Sequence, residues 1–184
     1  MTVRRHLLVV TATALAYLAL FPLNNFLFSS LSFSAGVEWV FLPSGLRLAF
    51  ILVFVQWGAV GVAIASMLIT YFFQPDGQLI TSLCTGMISG FAPLLARQVC
   101  IDILKLDANL RNLSTTTLFK TSAVFAVFSA LLHQLWFAWI GQTTHFIDSA
   151  VAMAVGDFLG TVIVLYTSKF VLTTLLPGVG TTAP

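Results

Sequence analysis

Residues 37–73 read VEWVFLPSGLRLAFILVFVQWGAVGVAIASMLITYFF and carry two charged side chains, Glu38 and Arg47. An apolar run of this kind cannot be the core of a small soluble domain, which would need polar residues at regular intervals to face water. It is about twice as long as the roughly 20 residues that one helical crossing of a bilayer needs. A polar residue, an interfacial aromatic and a helix-ending glycine coincide at Gln56-Trp57-Gly58, so the run divides there. The reading is helix two over 40–56 and helix three over 58–73.

The same reading extends to both sides. Helix one is expected over 6–28, with a kink at Pro22, and 29–37 as a polar, small-residue loop. Gln74-Pro75-Asp76-Gly77 is a turn. Helix four follows over 79–104, then the longest polar connection, 105–116, in which Ser114 can cap helix five. Helix five is expected over 117–140 and helix six over 147–175, with a loop at 141–145. Trp39, Trp136 and Trp139 suit the membrane interface. The basic, apolar start resembles a signal peptide, but no small-x-small cleavage site precedes Pro22, so it is read as a retained helix. The expected fold is an all-α integral membrane protein, a polytopic bundle of about six transmembrane helices. It forms a single domain over 1–176, with a short tail over 177–184.

Composition agrees. Of 184 residues, 59% are hydrophobic and 8% charged, against roughly 25% charged in a typical soluble domain. No basic run is dense enough for nucleic acid, despite a net charge of +2. With the N-terminus inside and six crossings, Arg4, Arg5, Arg97, Lys105, Arg111, Lys120 and Lys169 fall at the cytoplasmic side. Glu38, Asp76, Asp148 and His145 fall outside. This is the positive-inside pattern, and it places both termini in the cytoplasm of a bacterial inner-membrane protein.

No enzyme chemistry is legible: there is no Ser-His-Asp spacing, zinc-protease motif, phosphate loop or carboxylate pair. No metal or cofactor is implied. His6, His133 and His145 are isolated, and Cys84 and Cys100 lie about 24 Å apart along helix four, too far to bridge.

The residues that invite a functional reading are polar groups inside apolar helices. Arg47 costs about 2.5–3.5 kcal/mol at membrane depth, so it must snorkel, pair or face an interior. Asp157 lies at a similar depth in helix six and is the expected partner, as a structural pair or as part of a ligand site. Pro43 and Ser44 belong to a Pro-Ser-Gly segment that either breaks the chain to expose backbone groups or simply starts helix two at its first turn. His133, in the outer half of helix five, suits either a cross-helix hydrogen bond or a site. Asn24 and Asn25, at the outer end of helix one, suit an interfacial cap or the same site. Arg47, Asp157, His133, Pro43, Ser44 and Asn25 therefore make up a candidate ligand site in the outer half. Small-residue pairs, Gly156 with Gly160, Gly86 with Gly90, and Ala12 with Ala16, are expected to bring helices close, within the bundle or against another membrane protein.

Two resemblances follow from these residues. Trp39-Val-Phe-Leu-Pro-Ser-Gly-Leu-Arg-Leu-Ala-Phe50, with Trp57-Gly58 and Gly61, resembles the MASE-type bacterial membrane sensor domains of the first described class. Val155-Gly-Asp-Phe-Leu-Gly-Thr-Val-Ile-Val-Leu165 resembles their last-helix Gly-Asp-x-x-Gly motif. That class carries about eight helices and a cytoplasmic signalling domain, so the resemblance implies a sensory role. In size and helix number the chain is also similar to the substrate-binding (S) components of energy-coupling-factor vitamin transporters. Those dock on a coupling subunit through small residues of helix one, a role that implies Ala12 and Ala16 here.

Overall fold

The computed structural model describes residues 3–73, 78–110 and 114–175, apart from the side chains of 169 and 172–175. The turn expected at 74–77, Arg111 and the tail at 177–184 lie outside the described residues, as does the side chain of Lys169.

The chain forms an all-α polytopic bundle. Its helices are α1 (Val3–Phe28), α2 (Pro43–Phe54), α3 (Gln56–Phe73), α4 (Leu79–Ile103), α5 (Thr115–Trp139) and α6 (Phe146–Leu175). All but α2 are long and apolar enough to cross a membrane. The outward faces are apolar: Leu15, Val60, Met87, Phe91, Leu135 and Val151 are all exposed. Inside are many small hydroxyls, among them Ser66, Ser82, Ser89, Ser129 and Thr161. That distribution suits a chain whose solvent is lipid, because polar side chains can only be satisfied against one another.

The helices α1, α3, α4, α5 and α6 pack in that order around α2, which touches all of them except α5 in strength. Accordingly, α2 buries Pro43, Ser44, Gly45, Arg47, Leu48, Ile51 and Leu52, whereas α1 buries only Thr13, Ala14, Tyr17 and Asn24. Gly86 and Gly90 seat α4 on α3: a Cβ at either would lie 2.7 Å from a backbone oxygen, of Ala63 and Ala59 respectively. His6 stacks on Trp57 with ring centroids 4.2 Å apart, which sets the start of α3 beside the start of α1. Ser114 caps α5 as expected, accepting from the Thr117 amide at 3.1 Å.

Three expectations are corrected. Residues 29–37 are not a plain loop: a 3-10 turn at Ser29–Leu31 leads into two short antiparallel strands, β1 (Ser32–Ser34) and β2 (Val37–Glu38). The two-residue turn between them is Ala35-Gly36, and Gly36 supplies the positive φ of 75° that closes it.

The boundary between α2 and α3 falls at Val55 rather than at 56–58, with φ 49° there and the chain resuming as helix at Gln56. Gly58 does not end a helix. It lies in the first turn of α3, where a Cβ would sit 2.4 Å from the Phe50 carbonyl oxygen. α2 is therefore 12 residues long, rising about 18 Å, which is short of a hydrocarbon core of about 30 Å.

The third correction concerns what Gly156 and Gly160 admit first: the non-helical chain that leads into α2, with α2 itself packed on α6 just beyond it. A Cβ on Gly156 would lie 1.9 Å from the Glu38 carbonyl oxygen, and one on Gly160 1.9 Å from that of Phe41. The lead-in to α2, residues 38–42, thus runs along a glycine groove on α6, beginning roughly 15 Å beyond the first residue of that helix. Backbone outside a helix at such depth must be paired within the protein, and the Trp39 amide accordingly donates to the Leu31 carbonyl at 3.0 Å. The Phe41 amide donates to the Gly156 carbonyl at 3.1 Å. The Leu42 amide donates to Asn24 Oδ1 at 2.8 Å. Pro43, at the first turn of α2, has no amide to satisfy.

Candidate functional site

The lead-in fixes the start of α2, and α2 in turn aims Arg47 into the middle of the bundle, where the residue is 4% exposed. Its guanidinium is held from three other helices. Nε donates to the Tyr17 hydroxyl of α1 at 2.9 Å, and Nη1 donates to Ser129 Oγ of α5 at 3.3 Å. Nη1 also lies 4.0 Å from Asp157 Oδ2 of α6. The planar group sits 5.6 Å from the Tyr17 ring centroid and 5.1 Å from that of Phe41. Both are cation–π distances.

Asp157 has no exposed surface. Its charge is compensated by Arg47 across 4.0 Å. The Ser129 hydroxyl, which accepts from Arg47 Nη1, keeps its own proton for the neighbouring Asp157 carboxylate. The Asp157 backbone is firmly placed: Ser44 Oγ donates to its carbonyl at 2.7 Å and lies 3.2 Å from Thr161 Oγ1.

Beside the ion pair runs a second polar chain. His133 Nδ1 is 2.8 Å from the Ser129 carbonyl, which can only accept, so the proton on that ring nitrogen is donated to it. In the neutral ring, Nε2 then accepts from Ser89 Oγ at 3.2 Å, and Ser89 in turn lies 2.8 Å from Ser66 Oγ.

These groups line a cavity of about 300 Å³. Arg47, Asp157, His133, Ser66 and Thr85 supply its polar part, and Phe21, Phe41, Phe73 and Phe137 its apolar walls. Ala35 and Gly36 of the hairpin turn stand at its rim, with Glu38 beside them. The Asn24 side-chain amide donates to Glu38 Oε2. Burial, and the Asp157 carboxylate deeper in, push Glu38 above the ordinary carboxylate range, against the opposing pull of the Asn24 hydrogen bond.

Arg47, Asp157 and His133 therefore meet at one cavity, whereas Pro43, Ser44 and Asn25 do not line it. Pro43 starts α2, and Ser44 binds α2 to α6. Asn25 is half-buried at the end of α1, and its neighbour Asn24, fully buried, bridges Glu38 and the Leu42 amide instead of capping the interface. Tyr17, Ser66, Ser89, Ser129 and Glu38 went unread in the sequence. The signal was there in part: Thr13, Tyr17 and Asn24 recur on one face of α1, as Ser122, Ser129 and His133 do on α5.

Among the small-residue pairs, Ala12 is exposed and Ala16 half-buried. Ala16 lines a shallow groove between α1 and α6 together with Leu20, Leu42, Ile163 and Val164. Cys84 and Cys100 are free thiols. Among the described residues no group of three or more His, Cys, Asp or Glu side chains is placed to hold a metal ion. No protein-family model, no curated protein and no solved structure matches this chain.

Proposed function

We propose that this multi-pass membrane protein is a small-ligand-binding unit of a bacterial inner membrane. In this reading it captures its ligand from the outer side and does no chemistry on it. The observation that carries the reading is the cavity of about 300 Å³ lined by Arg47, Asp157 and His133 together with four phenylalanines. An apolar enclosure with a few convergent polar groups is what a small-molecule site requires. The segregation of Arg4, Arg5, Arg97, Lys105 and Lys120 to one end, and of Glu38, His145 and Asp148 to the other, supports a cytoplasmic basic end. The hairpin and the cavity rim then face the periplasm.

The resemblances to membrane sensor domains and to transporter S components both imply a protein partner to which occupancy is reported or cargo is handed. With Gly86, Gly90, Gly156 and Gly160 spent on internal packing, the α1 face carrying Ala12 and Ala16 is the small-residue surface left for such a partner.

The test is a thermal-shift screen of small molecules on the protein in lipid nanodiscs. A compound at about 100 times its Kd stabilises by about 2.7 kcal/mol, a shift of several degrees. Ala35→Trp places bulk at the exposed cavity rim and should abolish the shift without unfolding the protein. A screen in which no compound shifts the wild type more than Ala35→Trp would leave the polar cluster with a purely structural role.

A further inference from the structure

We propose that the cavity takes a small uncharged molecule headed by a carbonyl oxygen, an amide on an apolar body, with Arg47 as its hydrogen-bond donor. This assignment rests on the ligand-binding reading above. The first argument is an accounting of protons. Arg47 donates from Nε to Tyr17 and from Nη1 to Ser129, and Nη1 also faces Asp157. Nη2 has no acceptor among the described residues, and it is not sealed off as the Asp157 oxygens are. Arg47 lines the cavity, so the N–H groups left over meet its space. The fork of a guanidinium sets Nη2 on the same edge as Nε. An oxygen bound there therefore lies beside the Tyr17 hydroxyl, which accepts from Nε and has no acceptor for its own proton among the described residues. The His133 chain is closed by contrast: Nδ1 donates to the Ser129 carbonyl, Ser89 to Nε2, and Ser66 to Ser89. What the cavity lacks is an acceptor, and a carbonyl oxygen brings two lone pairs. Thr70 lines the same space, and its hydroxyl also has no partner among the described residues and is not sealed off. It can accept from an amide N–H.

The second argument is charge. Arg47 is balanced by Asp157 at 4.0 Å, and Glu38 at the rim is acidic as well. The lining thus has no positive surplus for an anion, which would also stand near a buried carboxylate. A cation would meet the guanidinium itself, while the Asp157 oxygens are sealed off and have the Ser129 hydroxyl beside them. A neutral head leaves the buried pair in balance, and burying an unpaired charge is what costs most here.

The walls and the volume give the third argument. Phe21, Ile69, Phe73, Phe137 and Met153 offer apolar contact to a hydrocarbon body, favourable in proportion to the area taken from water. A volume of about 300 Å³ is at the small end for a ligand site, which suits one ring or a short alkyl body carrying the head.

The experiment is calorimetric titration of the full chain in nanodiscs with benzamide, benzoate and benzamidinium, which are nearly isosteric and carry neutral, anionic and cationic heads. Benzamide is expected to bind saturably and the other two at least tenfold more weakly. Arg47→Lys keeps a positive charge beside Asp157 but removes the fork. It should weaken benzamide at least tenfold, from the usual worth of a hydrogen bond to a charged group. Thr70→Val keeps the shape of the side chain and should weaken benzamide about fivefold; it is the deciding variant if Arg47→Lys does not fold. The proposal is overturned if benzoate or benzamidinium binds as tightly as benzamide, if the deciding variant binds benzamide as tightly as the wild type, or if none of the three binds. In each case a compound found by the screen and blocked by Ala35→Trp would show that the ligand-binding reading itself survives; an empty screen would remove both.

Discussion

Replacing Arg47 or Asp157 by leucine, singly and together, probes the interior most directly. Two unit charges 4.0 Å apart attract by about 4 kcal/mol at an effective dielectric of about 20, offset by the cost of taking both out of water. Removing one partner leaves the other charge buried and should cost about 3–5 kcal/mol. The two single changes should differ. Arg47→Leu leaves Asp157 buried without its countercharge, and is the costlier. Asp157→Leu leaves Arg47 with hydrogen bonds to Tyr17 and Ser129 and two aromatic rings. The double change removes both charges and leaves chiefly the Tyr17 and Ser129 hydroxyls short of a partner, a loss of about 1–2 kcal/mol. It should therefore be more stable than either single variant. The assay is unfolding in mixed micelles titrated with denaturing detergent, followed by tryptophan fluorescence, on all four proteins. Additivity within about 0.5 kcal/mol would refute the pairing.

Gly160→Ala should destabilise by at least about 2–3 kcal/mol, since its Cβ meets the Phe41 carbonyl at 1.9 Å and backbone cannot yield as a side chain does. Ala12→Leu, on an exposed face, should stay within about 0.5 kcal/mol in the same unfolding assay. Glu38 is raised by burial, so its contribution to stability is full below the ordinary carboxylate pKa of about 4.3 and is lost as pH rises through its raised value. Melting temperature should accordingly fall over that window in the wild type and be flatter in Glu38→Gln; an identical pH profile for the two would remove the assignment. Reporter fusions at Gly178 should be active in the cytoplasm, and periplasmic activity there would invert the orientation drawn from the basic residues.

The helices were legible because apolar runs between polar turns are strong signals, and the capping of α5 by Ser114 was equally plain. What the pattern could not show was chain that is neither helix nor loop at membrane depth. Residues 40–42 look apolar and so read as helix, but their conformation is set by Asn24 and by a groove on α6, partners remote in sequence. For the same reason Gly156 and Gly160 signalled a close approach without revealing that the approaching element is a lead-in segment. Depth counting placed Arg47 opposite Asp157, and the structure brings them to 4.0 Å. It could not find Tyr17 or Ser129, because one tyrosine or serine in an apolar helix carries no sign of which way it faces. Periodicity taken over the polar residues alone would have been the better guide in a bundle whose outside is uniformly apolar.

The lead-in along α6 also dictates an order of assembly. A 12-residue helix is below the length a translocon accepts as a self-sufficient span, and α2 carries an arginine besides. The amides that precede it are satisfied by Asn24, which is synthesised earlier, and by Gly156, which leaves the ribosome more than a hundred residues later. Until α6 arrives, the Phe41 amide lacks its partner, and Arg47 has Tyr17 but not Asp157. The second helix is thus the last to be fixed in place, although it is second in the chain. During biogenesis α1 and α3 must hold a place for it, side by side through His6 and Trp57, and the arrival of the final helix locks it in.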